Sequence, residues 1–200
     1  VNVPGPLAVT SAGGRRALED DGETPDSQEA LFEYPGFTAT WSQREAGAGR
    51  RLAGAEFIGT KGSLVISRTG YEVIPDMKTP PDNAVPVFKG HPQGGPQREA
   101  VKPEPWIAPL KAPGSSEEQF NLHVRNFVDC IKSRQRPVAD VEDGHHTATA
   151  CHLANISLRT GRKILWDARK EQIIGDAEAS RMLERPYRKP WDSVLKALLA

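Results

Sequence analysis

Alternating apolar and polar positions run through the first part of the chain in short stretches that turn residues separate. In the first stretch Leu7, Val9 and Ser11 alternate with Ala8 and Thr10. Later stretches are joined by short turns such as the Pro-Gly pair at 35–36, and these favour antiparallel pairing because a parallel crossover needs about a dozen residues. The further predicted strands are 28–34, 37–41, 55–58, 63–67 and 71–74.

Helical spacing of apolar residues begins after residue 114. Ser115 and Glu118 have the spacing of a capping box, which predicts a helix start. The apolar stripe that follows consists of Phe120, Val124, Phe127, Val128 and Ile131. A second helix is predicted from Asp143 to the stop at Gly161. Its predicted buried residues are Ala148, Cys151, Leu153 and Ile156. Shorter helices are predicted at 176–183 and 191–199.

Strands first and helices afterwards predict an α+β fold, an open and mostly antiparallel β-sheet with helices packed on one face. We expect residues 1–200 to form a single domain. Between strands and helices, residues 75–114 contain ten prolines and predict an irregular strap with Trp106 and Ile107 as its anchor. Residues 186–200 are expected to form a C-terminal tail.

Composition narrows the possible partners. Lys plus Arg number 26 and Asp plus Glu also 26, so no net charge draws the chain to nucleic acid or to an anionic membrane. No apolar run approaches the ~18 residues of a membrane span, and the N-terminus lacks a signal-peptide pattern, so we expect a cytoplasmic protein.

Cys130 and Cys151, the only cysteines, are predicted to be buried reduced thiols.

The usual cofactor and metal motifs are missing from the sequence. Gly47-Ala48-Gly49 fails the G-x-G-x-x-G pattern because the next glycine is Gly54. His145 and His152 are seven residues apart, about 10 Å along a helix, which is too far for ligands that lie ~2.1 Å from one zinc ion. Five carboxylates within 19–26 lack the calcium-loop spacing and predict a solvated loop. We therefore expect no cofactor or metal site.

Three residues are candidates to face a substrate. Trp41 and Arg44, at the end of a predicted strand, can stack on a sugar and hydrogen-bond to it. The alternative places Trp41 in the core and Arg44 on the surface. His145, at a helix start, fits a substrate-facing or interface role, or a purely structural one. No residue is assigned as catalytic.

Several motifs in a fixed order resemble the Gfo/Idh/MocA oxidoreductases, especially their bacterial branch. The motifs are GETPD at 22–26, FEYPGF at 32–37, IGTKG at 58–62, DGH at 143–145 and RPYRKPW at 185–191. The resemblance implies an N-terminal Rossmann domain that binds NAD(P), and a C-terminal α/β domain that shapes the substrate pocket and makes the oligomer interface through its sheet face. It also implies sugar or cyclitol substrates.

The chain departs from that family in its catalytic motifs. The Glu-Lys-Pro motif is absent, since 102–105 reads KPEP, and the Asp-x-x-x-His pair is absent too. Glu142 stands four residues before His146, but on a different helix and without the surrounding glycines. The resemblance therefore predicts a C-terminal substrate-binding and oligomerisation domain, a fragment whose partner is the missing Rossmann domain. NAD(P) belongs to the full-length parent.

Three alternatives remain open. The chain can be a non-catalytic assembly module that docks onto a separate Rossmann subunit. It can be a domain of an NAD-dependent glycosidase of the same family. It can also be a small enzyme of unrelated chemistry, such as a hydrolase that uses His145 and a carboxylate.

Overall fold

The computed structural model describes residues 3–46, 54–78 and 103–199. They form two compact units, one from Val1–Gly49 with Val138–Ala200 and one from Arg50–Pro137. The strands are β1 (Ala8–Gly14), β2 (Ser27–Tyr34), β3 (Phe37–Arg44), β4 (Gly54–Gly59), β5 (Gly62–Ser67), β6 (Gly70–Pro75), β7 (Leu110–Pro113), β8 (Ile164–Asp167) and β9 (Gln172–Ile174). The helices are α1 (Ser116–Ser133), α2 (Val141–Thr160), α3 (Ala177–Ser180) and α4 (Trp191–Leu199).

The first unit is a five-stranded antiparallel sheet in the order β3-β2-β1-β8-β9, with α2 packed across β1 and β8. Strand alternation explains which residues form its core. Val9 pairs with Phe32 in β2 and with Ile164 in β8, and all three point to the face of the sheet that α2 covers. The buried core residues are Val9, Ala30, Phe32, Leu153, Ala154, Ile156, Ile164, Trp166, Ile173 and Ala179.

Capping residues fix the position of α2. Asp140 accepts a hydrogen bond from the N–H of Glu142 at the start, and Gly161 ends the helix with a left-handed φ of 65°. Ser157, fully buried, accepts from the N–H of Ser11 at 2.9 Å and donates to the carbonyl of Arg162 at 2.7 Å. The bond from Ser11 gives a partner to a backbone N–H of β1 that the short β8 does not reach. It therefore fixes the position of α2 along the sheet.

The second unit is a four-stranded antiparallel sheet in the order β4-β5-β6-β7, followed by α1. Ser115 accepts from the N–H of Glu118 at the start of α1, as the capping box predicts. The helix buries none of its residues. The predicted apolar stripe of α1 is therefore present but uncovered, with Phe120 at 67% and Phe127 at 58% exposed.

The predicted α+β class with open antiparallel sheets is confirmed, although the strands form two sheets where one was expected. In the first unit α2 covers one face of the sheet, as predicted, and leaves Thr10, Leu31 and Thr40 exposed on the other. The single domain over 1–200 stays a prediction.

Two local predictions were wrong, one was confirmed, and two segments lie outside the described residues. The strap prediction fails at its end, because β7 within 75–114 pairs with β6. Residues 79–102 of that strap, and Gly47-Ala48-Gly49, lie outside the described residues. The two cysteines are not buried, since Cys151 is exposed and Cys130 is half-buried. Within the tail 186–200, the predicted helix is confirmed as α4.

Candidate functional site

The connection between β1 and β2 is organised around one buried carboxylate. Asp26, 1% exposed, accepts hydrogen bonds at Oδ2 from the N–H groups of Leu18, Ala17 and Arg16 at 2.9, 2.6 and 2.8 Å. The bonds from Leu18 and Ala17, and then that from Arg16, lower the pKa of Asp26 from 3.8 to about 2. The predicted solvated loop is thus wrong at Asp26, while the other four carboxylates of 19–26 are exposed.

The same loop borders a cleft of about 160 Å³ against α2, with Arg15, Thr24, Asn155 and Arg159 among its lining residues. Arg15 is not free to bind a ligand there, because it is ion-paired with Asp20 and donates to the carbonyl of Thr24 at 3.0 Å. Its pKa is raised, chiefly by the Asp20 hydrogen bond. The cleft therefore results from the ion pair and the hydrogen bond that Arg15 makes within the loop itself.

The Asp26 network makes a pH-dependent prediction. The folded-state pKa lies below the unfolded value, so the carboxylate stabilises the fold above pH 3.8 and loses that effect as the pH falls towards about 2. We expect Asp26→Asn to lower stability at neutral pH and to flatten the fall in stability across this acid range. Urea unfolding at a series of pH values measures both. Asp21→Asn, in the exposed part of the loop, is the control, and a wild-type slope that persists in Asp26→Asn would contradict the assignment.

His145 lies in the second turn of α2 and contacts a carboxylate from the turn that follows β8. Its Nε2 is 2.6 Å from Oε1 of Glu171, and the two side chains are 54% and 50% exposed. Glu171 lies in the turn between β8 and β9. The ring of His146 lies 5.9 Å from the His145 ring, tilted by 52°. An exposed histidine oriented by a carboxylate can exchange a proton or a hydrogen bond with a ligand.

The structure does not bring Trp41 and Arg44 together. Both lie in β3, which continues to Arg44, and residues three apart in a strand point to opposite faces of the sheet. Trp41 is 57% exposed at the sheet edge, and Arg44 is ion-paired with Glu29 at 2.5 Å on the other face. The two cannot hold one sugar jointly as predicted. A substrate-facing role for each one separately stays a prediction, as it does for His145.

Glu171 was missed by the sequence analysis, although the chain path pointed to it. From residue 145 to the end of α2 the helix runs about 22 Å. The return from Gly161 through β8 covers about 23 Å. A strand that runs back against a helix of that length places its following turn beside the helix start, where His145 lies.

Residues 112–193 match the family model described as the oxidoreductase family, C-terminal alpha/beta domain, of the Gfo/Idh/MocA group. Residues 112–193 carry the pattern of a Gfo/Idh/MocA C-terminal domain. His145 and Glu171 fall inside the matched segment, whereas Trp41 and Arg44 precede it. No curated protein matches the sequence.

Two solved structures are similar to this chain. One is yvaA of Bacillus subtilis, assigned as an oxidoreductase, with 13% identity, a TM-score of 0.43 and coverage of 82% of this chain and 47% of that one. The other is a Klebsiella pneumoniae protein with the same assignment, 16% identity, a TM-score of 0.41 and coverage of 90% and 47%. This chain thus spans about half the length of both proteins.

Among residues 3–46, 54–78 and 103–199, no group of three or more His, Cys, Asp or Glu side chains is placed to hold a metal ion. Over the same ranges no helix has the length and apolar character needed to cross a membrane.

Proposed function

We propose that this domain is the substrate-binding and oligomerisation part of an NAD(P)-dependent oxidoreductase that acts on sugars or cyclitols. The family match over 112–193 carries the proposal. The proposed substrate-facing residue within that segment is His145, held by Glu171 at 2.6 Å. Because Trp41 and Arg44 lie on opposite faces of the edge strand β3, only one of the two is proposed to face the same substrate as His145.

The described residues do not form the strand-to-helix turn that binds the pyrophosphate of a dinucleotide. A pyrophosphate cradle forms where a parallel strand turns into a helix within a βαβ unit. The nine strands of the described ranges pair only in antiparallel fashion. We therefore assign NAD(P) to a Rossmann domain outside this chain, as part of the proposal, and the domain described here contributes walls of the substrate pocket.

The uncovered face of the first sheet supports a role in oligomerisation. Leu165 lies opposite Ile174 across the β8–β9 pair, and Leu31 lies two strands away between Thr10 and Thr40. Leu31, Leu165 and Ile174 are 41%, 46% and 53% exposed. Apolar side chains on one exposed sheet face are typical of a surface that a partner covers.

A docking role onto a separate Rossmann subunit is the second candidate, and the uncovered stripe of α1 favours it. An amphipathic helix gains most of its stability by packing its apolar face. Val124, Val128 and Ile131 extend the stripe and are 43%, 37% and 50% exposed. A partner domain, in the same polypeptide or in another, would cover it.

Ligand binding by the chain alone tests the proposal. We expect NADH fluorescence to stay unchanged when the protein is added, and myo-inositol to shift amide resonances at the start of α2 in a ¹H–¹⁵N spectrum, with a dissociation constant of about 1 mM. A dissociation constant of about 1 μM for NADH would contradict the assignment of the cofactor to another domain. Lactate, which carries a carboxylate, is the control ligand, and equal shifts with lactate would count against a polyol site.

A further inference from the structure

We infer that Glu171 is a positioning residue that holds the His145 ring so that its Nδ1 accepts a hydrogen bond from a hydroxyl group of a neutral polyol. The inference rests on the proposed function, because it specifies the chemistry of the same substrate-facing site. It adds a residue to the site, a ring tautomer and a class of ligand group.

The contact with Glu171 fixes which ring nitrogen carries the proton. A carboxylate oxygen only accepts hydrogen bonds, so at 2.6 Å from Oε1 the Nε2 atom of His145 is the donor. In the neutral ring the proton is then on Nε2, and Nδ1 keeps a lone pair. Nδ1 has no hydrogen-bond partner within the described part of the chain, and the half-exposed ring leaves it open to a ligand.

The position of Glu171 is set by its own turn and does not depend on His145. Oδ1 of Asp167 accepts hydrogen bonds from the N–H groups of Arg169 and Lys170 at 3.0 and 3.1 Å. Glu171 then adopts a φ of 52°, in the left-handed region that few residues other than glycine occupy, and β9 begins directly afterwards. The backbone is therefore fixed on both sides of Glu171, and this turn directs the Glu171 carboxylate towards the His145 ring.

The lone pair on Nδ1 selects a ligand group that donates a hydrogen bond. An ionised carboxylate or phosphate oxygen only accepts hydrogen bonds and cannot pair with Nδ1, whereas a hydroxyl group donates to it. The arrangement is thus suited to an alcohol donor.

The ring tautomer tests the positioning role without any ligand. Long-range ¹H–¹⁵N correlation spectra of the whole 200-residue chain, recorded where the ring is neutral, are expected to show His145 protonated on Nε2. We expect Glu171→Ala to give a mixture of tautomers and Glu171→Gln to restore the Nε2–H form, because the amide oxygen still accepts. Glu178→Ala removes an exposed carboxylate paired with Arg162 and is the matched control. A wild-type ring protonated on Nδ1 would overturn the inference and leave the proposed function standing.

Titration with myo-inositol tests the ligand contact. His145→Ala is expected to abolish the shifts at the start of α2, Glu171→Ala to weaken binding about tenfold, and Glu171→Gln and Glu178→Ala to leave it unchanged, a tenfold loss being the size of one good hydrogen bond. Circular dichroism confirms that each variant is folded. Binding that survives His145→Ala overturns the inference alone. Failure of the wild-type chain to bind myo-inositol overturns the proposed substrate class and the hydroxyl contact together.

Discussion

Leu153→Ala is expected to lower the free energy of unfolding of the first unit by about 2–5 kcal/mol. Leu153 is fully buried on α2, in the cluster that contains Val9 and Ile164. The loss combines the transfer free energy of the deleted methyl and methylene groups with the cost of the cavity that remains. The cavity cannot collapse easily, because the bond between Ser157 and the N–H of Ser11 holds the helix at its distance from the sheet.

Urea unfolding followed by the fluorescence of Trp166, 4% exposed in the same core, measures the effect. Leu165→Ala is the control in the same unit, since Leu165 is 46% exposed on the other face of the sheet. We expect it to cost under about 1 kcal/mol, as surface changes usually do. An equal or larger loss for Leu165→Ala would mean that the core does not lie between α2 and this sheet.

Gly70→Ala is expected to destabilise the second unit by about 2–4 kcal/mol, because the added Cβ meets backbone on two sides. Gly70 has a φ of 132° and pairs with Ser67 in β5 and with Pro113 in β7. A Cβ there would contact the carbonyl oxygen of Ala112 and lie 2.9 Å from the nitrogen of Gly114. Neither atom can rotate away as a side chain would, so the β6–β7 pairing must open.

Amide hydrogen exchange along β6 and β7 is the sharpest measurement, since protection should fall there first. The matched control is Gly144→Ala, where nothing lies within 4 Å of the added Cβ and the residue is in a helix. We expect this variant to gain about 0.5–1 kcal/mol from helix propensity. Unchanged protection of β6 and β7 in Gly70→Ala would show that the strand pairing tolerates a side chain there.

Local signals in the sequence predicted the elements well, because turns and caps act over a few residues. The Pro-Gly pair at 35–36 joins β2 to β3, and Ser115 and Gly161 stand at helix ends as expected. The division into two sheets could not be predicted in the same way. It depends on the pairing of Ala8 and Val9 with residues 164–165, and no local pattern specifies a partner so far along the chain.

The site was predictable in part. His145 could be predicted because it lies at a helix start. Its partner Glu171 lies in a turn 26 residues later, and the two meet only because β8 runs back along α2. The joint role of Trp41 and Arg44 failed because β3 extends through Arg44, so that strand alternation separates them. The burial of Asp26 arises from three backbone N–H groups of its own loop, which side-chain composition does not reveal.

The pairing of β1 with β8 has a consequence for the order in which the protein folds during synthesis. The first sheet joins β1, β2 and β3 to β8 and β9, so it is complete only after β8 and β9 have left the ribosome. Arg50–Pro137 is contiguous and can assemble earlier. Contacts between distant segments also slow folding. We therefore expect ribosome-bound nascent chains that stop before residue 164 to protect the second unit from protease and to leave the first unit open to cleavage.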